Sequence, residues 1–311
     1  MIQLLGLYAA KAALILALAA VLAGLAGRSS AGLRHAIRTA GLAGALLVLP
    51  VSLLLPRVPL GPAGSGAAGL AANLLVLLWL AVAAVLLGRI LLDQRALRRV
   101  AAAAEAVADE NVTALAREAA AAMGVGRDVR LRRWDGPMPA TFGTWRPTIL
   151  IPAGSEAWPA ERMKLVLLHE MGHVARLDAA AVLLARIVRA VHWFNPLSWR
   201  SLGRVRHECE EACDARVLRA GAEPIAYART LVEVLRESAR KPPAGALAMT
   251  AAEGLGARLE RICSGERPPS GRRLPAALLA LAVGLAAAAL APLSLERAGY
   301  RDDGAGSAQR P

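Results

Sequence analysis

The chain has few aromatic residues, cysteines or lysines. Of its 311 residues, 4% are aromatic, three are cysteine (Cys209, Cys213, Cys263) and three are lysine (Lys11, Lys164, Lys241). So few thiols exclude a disulfide scaffold. Acidic residues are also in deficit, with 24 Asp and Glu against 37 Lys and Arg, a net charge of +13. The excess is almost all arginine in an Ala- and Leu-rich background, which points to base composition more than to a nucleic-acid surface. No helix-turn-helix or zinc-finger pattern is apparent, so direct nucleic-acid binding is not expected. What the chain does hold is aliphatic. Hydrophobic residues make up 56%, above the ~45–50% of ordinary soluble chains, and mean hydropathy is +0.44. That excludes a disordered chain and argues against a purely soluble one.

The apolar residues concentrate in four stretches near the ~20 residues a membrane helix needs. They run over about 4–25, 39–55, 67–92 and 274–295. A cleaved signal peptide would carry its basic residues before the first apolar run. Here Arg28, Arg34 and Arg38 follow it, which favours an uncleaved helix with the N-terminus outside. The positive-inside rule orients the rest. Residues 28–38 form a cytoplasmic loop, and the Pro/Gly-rich turn 56–66 lies outside. Arg89, Arg95, Arg98 and Arg99 put the end of the third helix inside, and Arg267, Arg272 and Arg273 flank the fourth on the same side. The tail 296–311 is outside. The expectation is a multi-pass protein of a bacterial-type inner cell membrane, with both termini outside and residues 93–273 forming a cytoplasmic domain between the third and fourth spans. The +13 then divides into orientation charge and a modestly basic, membrane-facing domain.

Within that domain, residues 94–123 read as helical and 128–133 as a strand. Residues 137–147 read as a turn or hairpin. Thr148–Ile151 is a short β-run, either an internal strand or an edge that a peptide substrate extends. From about Pro159 to Ala220 the pattern is helical with breaks near Asp178 and Asn195-Pro196, and Pro224–Ala239 is another helix.

His169-Glu-Met-Gly-His173 is an H-E-x-x-H match. Four residues apart on a helix, the two imidazoles share a face and can bind one metal ion. Glu170 then stands beside a metal-bound water as its general base. Catalytic zinc needs a third protein ligand. Positions 176 and 179 are Arg and Ala, which excludes the metzincin extension. The other solution is a glutamate on a later helix, where Glu208-Cys-Glu-Glu-Ala-Cys-Asp214 offers Glu208, Glu210 and Glu211. Glu210 and Asp214 lie one turn apart, so Glu210 could ligate zinc while Asp214 receives the other ring N–H of a ligating His. His207, one turn before Glu210, is a weaker candidate ligand. His192, Trp193, Phe194 and Trp199 read as structural or interfacial, and Cys209 and Cys213 as small buried side chains.

Three segments together resemble the BlaR/MecR-type membrane metallopeptidases: His169–Asp178, His192-Trp-Phe-Asn-Pro-Leu-Ser-Trp199 and Glu210–Leu218. The stretch Phe142–Pro152 is similar to that family as well. The motifs span about residues 137–220 in the family's order, and three helices before the domain with one after agree with its topology. The resemblance implies a gluzincin fold, α+β and mostly helical with a small sheet. It implies one zinc ion on His169, His173 and Glu210, Glu170 as base, and Asp214 in support. It further implies cytoplasmic proteolysis in signal transduction, with an antirepressor role toward a BlaI/MecI-like transcriptional repressor. Family sensors carry a penicillin-binding domain after the last helix. Here about 16 residues follow Leu295, so sensing of β-lactams by acylation is not expected. Two other readings are an HtpX-like quality-control peptidase, against which the Trp-Phe-Asn-Pro stretch argues, and a non-catalytic membrane signal transducer, against which the intact ligand set and Glu170 argue. An intramembrane protease is disfavoured by Glu161, Arg162, Lys164 and Arg176 around the motif.

Overall fold

The computed structural model describes residues 2–26, 31–54, 67–240 and 254–264. Three long helices come first: α1 (Ile2–Leu25), α2 (Ala31–Leu54) and α3 (Ala67–Ala103). Two stretches, Tyr8–Leu25 and Asn73–Ala103, are long and apolar enough to cross a membrane. On α3, Leu74, Leu77, Leu78, Val85, Leu91 and Leu92 are exposed, an apolar surface that a soluble monomer would cover. The expected fourth span, 274–295, and the tail lie outside the described residues.

Two boundaries differ from expectation. Residues 31–38, expected as part of a cytoplasmic loop, form the first turns of α2. Arg34 and Arg38, four apart on one helix face, are held there by Glu211 and Glu208 of a later helix. The helix expected over 94–123 is split. Its first part completes α3, and then β1 (Glu105–Ala106) pairs with β2 (Arg130–Trp134). The second part, α4 (Glu110–Met123), restarts behind an Asp109 cap whose Oδ1 accepts from the Asn111 N–H at 2.8 Å, the usual way to satisfy a first-turn donor.

The sheet also contains β3 (Ala140–Phe142) and β4 (Thr148–Pro152), in the order β1-β2-β4-β3. β2 and β4 are parallel, and β3 lies antiparallel to β4. All five residues of β4 are buried, so Thr148–Ile151 is an internal strand. The edge is β3. Gly143 at φ 85° turns the chain out of β3, and a Cβ there would meet the Arg146 carbonyl at 2.7 Å, so only glycine fits.

Four helices follow the predicted breaks: α5 (Ala160–Arg176), α6 (Asp178–Val191), α7 (Pro196–Arg219) and α8 (Pro224–Ala239); α9 (Leu255–Cys263) was not expected from the sequence. Asn195 caps α7 at Leu197 N–H. One core packs Ile149 and Ile151 against α4, α5, Val217 and Tyr227. A second joins Leu16 and Leu42 of α1 and α2 to Ala185 and Val188 of α6 and Leu202 and Val205 of α7. Helix α7 therefore belongs to both cores and ties the apolar helices to the rest of the fold.

Candidate metal centre

Helix α5 carries Leu165, Leu167, Leu168 and Met171 into the first core and turns His169, Glu170 and His173 toward a cleft. Gly172 lets α7 come close: a Cβ there would lie 3.3 Å from Cys213 Sγ. Glu210 of α7 consequently meets both histidines. His169 Nε2 and His173 Nε2 are 3.2 Å apart, and Glu210 oxygens lie 3.4 and 3.6 Å from them. Donors at ~2.0–2.1 Å from one tetrahedral zinc stand roughly 3.3 Å from each other. The two nitrogens and the carboxylate thus have the chemistry and the spacing of a zinc site.

The other ring nitrogens are occupied in a way that leaves both Nε2 atoms free. His173 Nδ1–H donates to Asp178 Oδ2 at 2.9 Å. His169 Nδ1 lies 2.8 Å from the Tyr227 hydroxyl, which in turn donates to Asp214 Oδ1 at 2.7 Å. Asp214 therefore reaches His169 through Tyr227, with 3.6 Å separating its own oxygen from Nδ1. Arg258 of α9 forks onto Asp214 at 2.7 and 2.8 Å and reaches Glu210 at 2.9 Å.

Asp178 owes its place to backbone geometry. In an unbroken helix a residue five positions after His173 would point well away from it. Leu177 takes the left-handed conformation at φ 60°, uncommon for a residue with a Cβ. The chain turns there, and Asp178 opens α6 facing back to His173. Burial alone would raise the Asp178 carboxyl, but the hydrogen bond from His173 and the charge of Arg176 hold it below the usual carboxylate range. Burial likewise opposes charge on His173, yet Cys213, Asp178 and Glu210 raise it well above an ordinary imidazole. Glu210 is driven low, against its own desolvation, by both histidines and Arg258.

Glu170, also buried, accepts a hydrogen bond from Thr141 Oγ1 at 2.5 Å, so the edge strand β3 passes directly beside it. Of the alternative ligands, Glu208 pairs with Arg38 at 2.7 Å. Glu211 takes Arg34 at 2.5 Å and His207 at 2.6 Å. Neither they nor His207 join the His169–His173–Glu210 group. His192 is fully buried with its Nε2 2.9 Å from the Tyr8 hydroxyl. Phe194 and Trp199 are 43% and 51% exposed and do not line the cleft. Cys209 and Cys213 are buried free thiols, and burial pushes Cys213 up to about 11.

Sequence reasoning missed Thr141, Asp178, Tyr227 and Arg258. Asp178 and Thr141 fall inside stretches already singled out, whereas Tyr227 and Arg258 lie in later helices with no motif around them.

Residues 65–262 match the family model described as BlaR1 peptidase M56. The regulatory protein BlaR1 of Bacillus licheniformis is 40% identical over 81 residues, 26% of this chain and 14% of that protein. The methicillin resistance mecR1 protein of Staphylococcus aureus is 30% identical over 86 residues, 27% of this chain and 14% of that protein. The chain thus aligns with only about a seventh of the length of these curated relatives.

Proposed function

The chain belongs to the BlaR1 peptidase M56 family, and from that premise we propose that it is a membrane-anchored zinc endopeptidase with a cytoplasmic active site. The observation that carries this reading is the convergence of His169, His173 and Glu210 at zinc-ligand spacing beside Glu170. His169, His173 and Glu210 would hold a zinc ion, which would supply Lewis acidity at the site. Glu170 takes the proton of the attacking water and passes it to the leaving amine. The Thr141 hydroxyl occupies one Glu170 oxygen and leaves the other for that proton. Tyr227 with Asp214, and Asp178 on the other side, keep each imidazole in the tautomer that presents Nε2. The free edge of β3, next to Glu170, offers its backbone to an extended substrate strand.

The substrate class that fits the family is a regulatory protein of the transcriptional-repressor type, cleaved in a BlaR/MecR-like signalling route. The test uses the full chain in detergent, loaded with zinc. Wild type is expected to bind one zinc and cleave a repressor-type substrate, and Glu170→Gln to keep the zinc and lose cleavage. Full cleavage by Glu170→Gln would overturn the assignment. Normal signalling in cells by that variant would favour a non-catalytic transducer.

A further inference from the structure

The cleft that contains the metal centre has walls of one charge. Nine arginines line it, from α3, β2, the β3–β4 turn, α6, α7 and α9. Its described acidic residues are three, Glu170, Asp178 and Glu210, all belonging to the centre itself. Arg258 is spent on Asp214 and Glu210, Arg186 on Asp93, and Arg132 on the Ala104 carbonyl. The other six, Arg98, Arg130, Arg146, Arg200, Arg204 and Arg206, are exposed and have no carboxylate within ion-pair distance among the described residues. Desolvation, with the like charges of Arg186 and Arg189 beside it, holds Arg206 below the usual guanidinium range. Positive charge is crowded here without its own counter-charge.

We propose that this peptidase selects substrates with an acidic segment next to the scissile bond, held by the arginines of the cleft. The inference rests on the peptidase reading and adds the substrate class. Its register follows from α7. At ~1.5 Å per residue, Arg206 stands about 6 Å and Arg200 about 15 Å along the helix from Glu210. An extended peptide advances roughly 3.3 Å per residue, so these distances correspond to about two to five residues of a chain lying along α7. Arg130 and Arg146 approach the same cleft from the sheet. A peptide lying in the cleft can therefore meet arginines of both the sheet and α7. A low-dielectric cleft of one sign also focuses the field and concentrates ligands of the opposite charge.

The test measures binding apart from catalysis. The full chain carrying Glu170→Gln, zinc-loaded in detergent, is titrated with two labelled peptides of one sequence, bearing either glutamates or glutamines. The glutamate peptide is expected to bind roughly tenfold tighter at low salt, with the gap closing as salt screens it. Arg204→Glu with Arg206→Glu should erase the gap, while Arg117→Glu on α4, outside the cleft, should leave it. Equal binding of the two peptides, or a gap that survives reversal of Arg204 and Arg206, overturns the proposal. So does a pair of reversals that weakens binding to phosphatidylglycerol vesicles and leaves the peptide gap intact, since the arginines would then serve the membrane. Cleavage of neither peptide by wild type, with the binding gap present, would count against the peptidase reading and not against this one.

Discussion

Glu208 and Glu210 sit two residues apart on α7 and face in nearly opposite directions. Glu210 looks into the cleft, where two imidazoles and Arg258 drive its carboxyl far down. Glu208 looks toward α2, where burial raises its carboxyl even though Arg38 binds it at 2.7 Å. Glu211, on the α2 side as well, joins Arg34, His207 and Arg261. On one side of the helix Glu210 meets two imidazoles as well as an arginine, and on the other Glu208 and Glu211 pair mainly with arginines. The same residue type performs two tasks because the helix turns ~100° per residue between two different neighbours. The α2 side joins an apolar-helix segment to the helix that carries Glu210.

The largest effect expected from breaking this contrast is at Glu210. Glu210→Gln should lose bound zinc and all cleavage, while Glu208→Gln should retain both, as metal analysis and peptide hydrolysis would read. A Glu208→Gln protein without zinc would remove the distinction between the two sides. Next comes the ion pair. Arg38→Met leaves Glu208 buried without its partner, and breaking such a pair costs about 3–5 kcal/mol. Chemical denaturation should show that loss, and Arg38→Met with Glu208→Leu should recover much of it.

Tyr227→Phe removes the bridge between His169 and Asp214. Competition with a zinc chelator should read a loss of about 10- to 100-fold in affinity, with little change in fold. A pH effect follows from Glu208. Its carboxyl is raised in the folded state, so the folded protein binds this proton more tightly than the unfolded one. The contribution is greatest at or below the unfolded value of 4.5 and is lost as pH rises through the folded value. Thermal melts of wild type should therefore fall over the window just above pH 4.5 relative to Glu208→Gln; parallel curves would contradict the shift. The smallest effect is at Leu177. Leu177→Gly should relieve left-handed strain on the order of 1 kcal/mol and leave zinc binding unchanged.

Much of the fold was readable from local pattern. The breaks at Asp178 and Asn195-Pro196 and the helix over Pro224–Ala239 come from caps, proline and apolar periodicity, all short-range. The split of 94–123 was not readable, because an alanine-rich run favours helix and the interruption comes from β1 pairing with a strand some 25 residues away. The position of Thr148–Ile151 inside the sheet likewise depends on which strand covers each side.

For the site, the sequence by itself determined the two histidines and the glutamate between them. Spacing along one helix is a local property, and a helix puts residues four apart on one face wherever it lies. It also placed Glu210 and Asp214 on one face of a second helix. Spacing alone left Glu208, Glu210 and Glu211 open; the family resemblance pointed to Glu210, and the tertiary structure places Glu210 against the histidines. It alone brought Asp178 back through a left-handed Leu177, and Tyr227, Thr141 and Arg258 in from other elements. The sign of the cleft has the same origin. A chain with 37 basic residues does not say where they gather, since Arg98, Arg130, Arg146 and Arg204 are distant in sequence and meet only when α3, the sheet and α7 close around one centre.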